Sequence, residues 1–282
     1  MRVAAIQTTA TGDRDVNLKA AGDLVDRAAG AGAELVVLPE YFSVAGNRAH
    51  LRAHAERREG PTVGWASDLA RRHRIWVLAG SFPESPAAGS GADPRLSNTS
   101  CLVDPEGTVA ATYRKIHLFD VSLAGAARRE SDTFAPGESR CLAPLVTPGD
   151  PDRPPVLLGL TICYDLRFPE IYRALALDGA TVVTVPSAFT TATGPAHWET
   201  LLRARAIENQ VFVIAAGQVG TLPPGMPAGH GHSMIIDPWG AVLAERTDPS
   251  PGVITADLDF ERQQRIRTEL PVLAHRRPGT YA

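Results

Sequence analysis

Short apolar runs recur along the whole chain with helix-length amphipathic stretches between them, and this alternation limits the fold more than any other feature. RVAAIQ at 2–7, ELVVL at 34–38, IWVLAGS at 75–81, VLLGLT at 156–161, ATVVTV at 180–185 and VFVIAAG at 211–217 each read as a strand. Between them, 15–31, 61–73, 169–178 and 197–208 read as helices, the first with Val16, Ala20, Leu24 and Val25 at helical spacing. Such an order calls for sheets covered by helices, a layered α/β architecture. Strands at 98–103 and 108–114 flank a turn at 104–107, a hairpin at 233–237 and 242–245 turns at 238–240, 254–257 adds an edge strand, and 260–267 reads as a last short helix. The stretch 118–155 reads as loop-rich, and Pro271 and Pro278 favour an extended path for the tail 270–282. No Gly/Ser-rich or charged linker and no fixed-period repeat divides the sequence, so a single domain over 1–282 is expected.

Charge and cysteine usage narrow the function classes. The 28 Lys and Arg against 31 Asp and Glu leave a formal charge of −3, which argues against a partner that is a nucleic acid or an anionic membrane. No uncharged apolar run approaches the roughly 18 residues of a membrane span, and the N-terminal apolar run is too short for a secretory signal, so a cytoplasmic protein is expected. Cys101, Cys141 and Cys163 are widely spaced and form no CxxC pair, which fits neither a disulfide framework nor a structural zinc site. His230 and His232 in GHGH lack an accompanying Cys or carboxylate cluster and read as loop or strand-end residues. Met226 and Met234 read as fillers. Cys101 falls in a strand and Cys141 in a loop, and neither receives a role.

Three strand ends finish in reactive side chains: Glu40 after ELVVLP, Lys115 after TVAATYR and Cys163 after LLGLTI. Ligands in open α/β sheets gather outside such carboxyl ends, where residues distant in sequence converge. Cys163 also precedes a helix, whose N-terminus favours a thiolate and whose N–H groups can receive an oxyanion. A proton acceptor, a fixed positive charge and a polarisable nucleophile are the parts that acyl transfer requires, without a metal. Taken one at a time, each has a plainer reading. A lone cysteine among apolar residues is more often packing, and strand-end acids and lysines are usually solvated.

The residues around these three resolve the choice by resemblance. VVLPEYF at 36–42, YRKIHLFD at 113–120 and GLTICYDLRFPEIY at 159–172 resemble the three signature blocks of the nitrilase, or carbon–nitrogen hydrolase, superfamily. The likeness continues through VPSAFTTATGPAHWETLLRARAIENQ at 185–210, GHSMIIDPWG at 231–240 and LPVLAHRRP at 270–278, and the later blocks are most similar to the branch of deaminated glutathione amidases and omega-amidases. The resemblance implies a four-layer α-β-β-α sandwich, a catalytic triad of Glu40, Lys115 and Cys163, and no cofactor. It further implies attack of the Cys163 sulfur on an amide carbonyl, with Lys115 and the backbone N–H of Tyr164 holding the oxyanion. Glu40 would pass the thiol proton to departing ammonia and then activate the water that hydrolyses the thioester. Glu130, fifteen positions beyond Lys115, matches a second superfamily glutamate that positions the lysine and substrate, although beside Arg128 and Arg129 it would otherwise read as a solvated loop acid.

By the same resemblance, Tyr and Asp after the nucleophile favour amide over nitrile cleavage. Arg167 matches an arginine that faces the distal carboxylate of the substrate, a partner suited to its planar fork. Phe189 and Thr193 are candidates for a pocket wall and a polar contact; Arg173 is an alternative to Arg167, and both arginines have a structural reading as ion-pair residues. His117 is expected to orient the lysine loop, and His197 and Trp198 to pack and hydrogen-bond. The expected activity is hydrolysis of the terminal amide of a small carboxylate-bearing substrate, such as deaminated glutathione or α-ketoglutaramate, by a homodimer. N-carbamoyl amide hydrolysis, a non-catalytic binding protein on the same fold and a redox-sensing thiol protein are the competing readings.

Overall fold

Helices in the chain begin where a side chain or a proline satisfies the first turn. In the computed structural model, which describes residues 1–86, 93–123, 126–146 and 154–280, α1 (Arg14–Gly30) starts at Asp13, whose carboxylate accepts from the N–H groups of Asp15 and Val16 at 2.9 and 3.1 Å. Asn47 caps α2 (Arg48–Ala53) in the same way through the His50 N–H. The helices α3 (Pro61–His73), α4 (Pro169–Leu177) and α5 (Gly194–Asn209) carry proline in their first turn, where its missing N–H costs nothing. Asp259 caps α6 (Phe260–Glu269) by accepting from the Arg262 N–H at 2.8 Å.

The strands are β1 (Arg2–Gln7), β2 (Leu35–Val37), β3 (Trp76–Glu84), β4 (Ser97–Val103), β5 (Val109–Arg114), β6 (Asp120–Leu123), β7 (Ala126–Arg129), β8 (Cys141–Leu145), β9 (Val156–Leu160), β10 (Val182–Ser187), β11 (Phe212–Gly217), β12 (Val219–Gly220), β13 (Gly229–His230), β14 (Met234–Ile236), β15 (Val242–Glu245) and β16 (Gly252–Asp257). One six-stranded sheet runs β16-β1-β2-β3-β4-β5 and the other β15-β14-β11-β10-β9-β8. Each has three parallel strands at its centre, β1, β2 and β3 in one and β9, β10 and β11 in the other, with antiparallel strands outside them.

Side-chain alternation decides the layering. Val3, Ala5, Leu35, Val37, Trp76 and Leu78 join a core shared with the second sheet. Their neighbours Ala4, Ile6, Val36, Leu38, Val77 and Ala79 point the other way and pack with Leu18, Leu24, Val63 and Leu69 of α1 and α3. On the far side, Ile171, Leu175, Trp198 and Leu202 of α4 and α5 close over the second sheet. The order helix, sheet, sheet, helix is the expected sandwich. The sheets also meet at their carboxyl ends, where Thr8 bridges to Gln218 just beyond β1 and β11.

Several expected boundaries change. Residues 118–155 are not mainly loop: they hold the hairpin β6–β7, a 3₁₀ turn at Glu130–Asp132 and β8, so Cys141 lies in a strand, paired with Leu160. Residues 124, 125 and 147–153 of that stretch fall outside the described ones. The tail turns instead of running extended: the Pro271 carbonyl accepts from the N–H groups of Ala274 and His275, and Pro278–Thr280 forms a 3₁₀ turn. Residues 281 and 282 of the tail lie outside the described ones. Its start is docked on the chain itself, with Gln210 Nε2 donating to the Leu270 carbonyl at 2.7 Å.

Candidate active site

Three strand ends, two from one sheet and one from the other, deliver Glu40, Lys115 and Cys163 to a single cavity of about 370 Å³. Glu40 and Lys115 are each 2% exposed and Cys163 8%. The strand end that carries Glu40 passes so close to β3 that a Cβ on Gly80 would lie 2.0 Å from the Leu38 carbonyl oxygen, so only glycine fits there. Across the sheet junction, Gln218 Nε2 donates to the Glu40 carbonyl at 3.0 Å, and its Oε1 accepts from Thr8 and Ala10. The acid is thereby tied to both sheets.

Charge at the cavity floor is arranged around one ammonium. Lys115 Nζ donates to Glu40 Oε1 at 2.9 Å and to Glu130 Oε2 and Oε1 at 2.8 and 3.1 Å. Asn98 Nδ2 donates to the same Glu40 and Glu130 oxygens and to the Tyr41 hydroxyl, which itself donates to Glu130 at 2.8 Å. Glu40 Oε2 accepts from the Ala188 N–H and Glu130 Oε2 from the Phe119 N–H, at 2.8 and 2.7 Å. Burial alone would lower the Lys115 ammonium, but Glu130 and Glu40 outweigh it and hold the group well above its usual value. Glu130, with a side chain 9% exposed, is part of this network and not a solvated loop acid.

The nucleophile candidate sits on a strained turn. Cys163 has φ 47°, a left-handed conformation costly for a residue with a Cβ, and opens a 3₁₀ turn over Cys163–Arg167. The start of a helical turn leaves its N–H groups without intrahelical acceptors, and no hydrogen bond among the described residues uses that of Tyr164. Burial, reinforced by the Glu40 carboxylate and opposed by Lys115, pushes the Cys163 thiol well above its usual value. This reverses the expectation that the helix start favours a resting thiolate. Cys101 is also buried, its thiol pushed up to about 12, but it packs behind the first sheet.

Asp165, fully buried, fastens the lysine loop to the cysteine turn. Its Oδ2 accepts from the Tyr113 hydroxyl and the Ile162 N–H at 2.7 and 2.8 Å, and its Oδ1 from the N–H and Nδ1 of His117 at 3.1 and 2.7 Å. Tyr113 and His117 bracket Lys115, so one carboxylate fixes both the lysine and the turn that carries Cys163. His117 therefore does orient its loop. Replacing Asp165 by Asn turns one acceptor toward donors, at about 1–3 kcal/mol for each buried group left unmatched. We expect the D165N variant to unfold at lower urea and to lose kcat more than it raises KM, while an unchanged kcat would show that the clamp serves stability alone.

Of the side chains named for substrate contact, Arg167, Phe189 and Thr193 line the cavity, as does Tyr164. Arg167 donates to the Thr193 hydroxyl at 3.2 Å, meets His197 Nδ1 at 3.2 Å and lies over the Tyr164 and Phe189 rings. Among the described residues no carboxylate pairs with it. Arg173, on α4, is not part of the lining. Trp198 packs against Phe189 and donates to the His232 carbonyl, as a packing residue would. Met226 both packs against the core around Tyr41, Val44 and Phe134 and lines the cavity, as Tyr41 does, while Asn98 and Gln218 join the site through hydrogen bonds to Glu40. Tyr41 was at least within the VVLPEYF block, whereas Asn98 and Gln218 carry no local signal.

Comparison with known proteins shows a likeness that runs over nearly the whole chain. Residues 2–268 match the family described as carbon-nitrogen hydrolase. The chain is 43% identical to a protein of Mus musculus named deaminated glutathione amidase, covering 99% of this chain and 84% of the relative. It is 41% identical to a protein of the same name from Synechocystis, with 97% of each covered. Among solved structures, Saccharomyces cerevisiae Nit3, a member of branch 10 of the nitrilase superfamily, superposes with a TM-score of 0.84 at 32% identity, over 98% of this chain and 96% of Nit3. A glutamate-to-glutamine variant of an amidase from Nesterenkonia, bearing an acetamide moiety covalently added at the active-site cysteine, gives 0.79 at 28% identity, over 100% and 95%.

Proposed function

The chain belongs to the carbon–nitrogen hydrolase family, and from that premise we propose that it is a thiol amidase cleaving an amide of a small carboxylate-bearing acid, with Cys163 as nucleophile. The observation that carries the reading is the meeting of Cys163, Glu40 and Lys115 at the floor of a cavity whose wall presents Arg167 without a carboxylate partner among the described residues. Because the thiol rests protonated, its proton passes to Glu40 as sulfur attacks the carbonyl carbon. Lys115 and the Tyr164 N–H take the developing oxyanion. The nitrogen leaves with the proton from Glu40, and water, deprotonated by Glu40, then releases the acid from the thioester. Glu130 positions Lys115, while Arg167 and Thr193 hold the far carboxylate of the acyl half beside Phe189.

The test is hydrolysis of a panel of omega-amides and deaminated glutathione by the purified protein. Primary omega-amides are expected to yield ammonia. Deaminated glutathione contains no primary amide, so its hydrolysis frees an amine that carries a carboxylate, and ammonia is not the product to assay for that substrate. Carbon dioxide released with ammonia from carbamoyl compounds alone would favour the carbamoyl reading, and no turnover of any amide would contradict both.

We further read the chain as one hydrolase domain over 1–282 that acts as a cytoplasmic homodimer on a small-molecule amide. Three free cysteines suit a reducing compartment, and no helix among the described residues is long and apolar enough to cross a membrane. Trp239 is 57% exposed, and Val242, Leu243 and Ile207 are exposed near it around the β14–β15 hairpin and α5, an apolar patch that a second copy would cover. Trp239→Asp is expected to shift the sedimentation mass from dimer to monomer, and removal of 270–282 to weaken the dimer. A monomeric unsubstituted protein would contradict the assembly.

A further inference from the structure

The cavity holds more positive charge than one carboxylate of the substrate requires. Its lining presents five cationic side chains, Lys115, Arg48, Arg128, Arg129 and Arg167, against two carboxylates, Glu40 and Glu130. Both carboxylates are spent on Lys115. Arg48 has Asp132 at 3.8 Å; burial raises the Asp120 carboxyl, but hydrogen bonds from Ser131 and the Glu130 backbone, and then the nearby Arg129, hold it below its usual value. Arg128, Arg129 and Arg167 have no carboxylate at ion-pair distance among the described residues, and of these Arg129 is exposed and lies in the field of Asp120, which leaves Arg128 and Arg167 as the half-buried cations without an acid.

These two arginines are mounted separately. Arg167 comes from the turn after Cys163 and rests on Thr193, Tyr164 and Phe189. Arg128 comes from β7 and donates from one guanidinium nitrogen to the Gly225 carbonyl at 2.9 Å, in a loop that also lines the cavity. That loop is seated by backbone approach: Gly225 has φ 95°, and a Cβ there would lie 2.6 Å from Asn47 Cβ. The guanidinium is therefore half-held, with its remaining donors unmatched by any acid among the described residues. A half-buried cation of this kind in the wall of a cavity is suited to a bidentate anion.

Resting on the amidase reading, we infer that Arg128 forms a second anion subsite that receives a carboxylate on the amine half of the scissile amide. The mounting of the two arginines assigns the halves. Arg167 belongs to the turn that begins at Cys163 and is assigned the acyl half, and the amine half falls to Arg128, a lining cation mounted on a separate element, β7. The favoured substrates are then secondary amides with an acid at each end. In the reaction the C–N bond breaks as the C–S bond forms, the amine takes the proton held by Glu40, and water later supplies the hydroxyl of the acid and restores the thiol proton. Amide and water give acid and amine.

Three monoamides of glutaric acid test this, formed with ammonia, glycine and glycinamide. The glycine amide is expected to have a kcat/KM about tenfold to a hundredfold above that of its neutral glycinamide counterpart, through KM, as one charge-assisted contact predicts. Arg128→Gln collapses that ratio and Arg128→Lys restores part of it, whereas Arg167→Gln lowers turnover of all three amides and leaves the ratio in place. Equal kcat/KM for the glycine and glycinamide amides, or a ratio that survives Arg128→Gln, overturns the subsite. Calorimetric binding of the same pair to Cys163→Ala separates the two claims. Preferential binding of the glycine amide without turnover by the unsubstituted protein sinks the amidase reading and supports the subsite, and equal binding sinks the subsite whatever the turnover.

Discussion

Replacing Lys115 by methionine will remove detectable turnover and cost about 3–5 kcal/mol of stability at neutral pH, because it strands buried charge. The ammonium is the cation that Glu40 and Glu130 share, at 2.9 and 2.8 Å, in a site where all three side chains are 9% exposed or less. Methionine preserves volume, so the loss is electrostatic. Loss of an oxyanion donor adds about 2.7–4 kcal/mol to the barrier, or roughly a hundredfold to a thousandfold in rate, before any effect on Glu40 as base. In the unsubstituted protein, burial raises the Glu130 carboxyl, but Lys115 outweighs it and holds the group below its usual value. That lowered carboxyl contributes stability above its unfolded value, and the contribution is lost as pH falls through the folded one. In the K115M variant burial acts on Glu130 unopposed by the lysine, and that carboxyl regains neutrality on acidification. The stability gap between the two proteins is therefore expected to be widest near pH 7 and to narrow toward about pH 4.3, where unfolded glutamates protonate. Urea titrations at both ends of that range measure it. A gap that stays constant would mean the network is not charged as described.

Replacing Cys163 by alanine is expected to cut turnover by about four to six orders of magnitude while the fold and ligand binding survive, since the nucleophile has no substitute in the cavity. The other thiols are elsewhere, Cys101 behind the first sheet and Cys141 in β8 at the edge of the second. Alanine keeps the left-handed backbone at φ 47°, so little stability is gained. Glycine at 163 would relieve that conformation by about 1–2 kcal/mol and should raise the urea midpoint above that of C163A. The combination of absent turnover, retained calorimetric binding and this order of stabilities is the expected result. Residual turnover of C163A above a hundredth of the original would assign the chemistry to another group.

Strand ends were legible because they follow from rules that operate locally. An apolar run of five or six residues specifies a buried strand, and the parallel order of β1, β2 and β3 and of β9, β10 and β11 turns the residues after them toward common ends. That reasoning reaches Glu40 and Cys163, and Lys115 as well because β5, reversed twice from β3 through β4, ends on the same side. Glu130 needed the family resemblance, since its acidic character is disguised by Arg128 and Arg129 and its burial depends on the hairpin β6–β7 folding over it. The hairpin itself, DVSL and AARR, has neither β-branched residues in number nor a Gly-Asn turn to announce it. β8 escaped notice because CLAPL contains Pro144, which a strand tolerates at the edge position β8 occupies. Six-residue α2 is too short to show a period and owes its start to Asn47. Asn98 and Gln218 were silent for another reason. Asn98 reaches the carboxylates because its carbonyl accepts from the Lys115 N–H across the β4–β5 ladder, and Gln218 because the two sheets meet beside it, both facts of tertiary pairing.

The account depends on a covalent bond forming at one sulfur, and that bond can be weighed. Brief exposure of the protein to an omega-amide, acid quench and peptide mass spectrometry should find the acyl group of the substrate on the Cys163 peptide, with greater occupancy in Glu40→Gln wherever loss of the base slows hydrolysis of the thioester more than its formation. Amide turnover with Cys163 unmodified at every time point, or an acyl group on Cys101 or Cys141 instead, would contradict it.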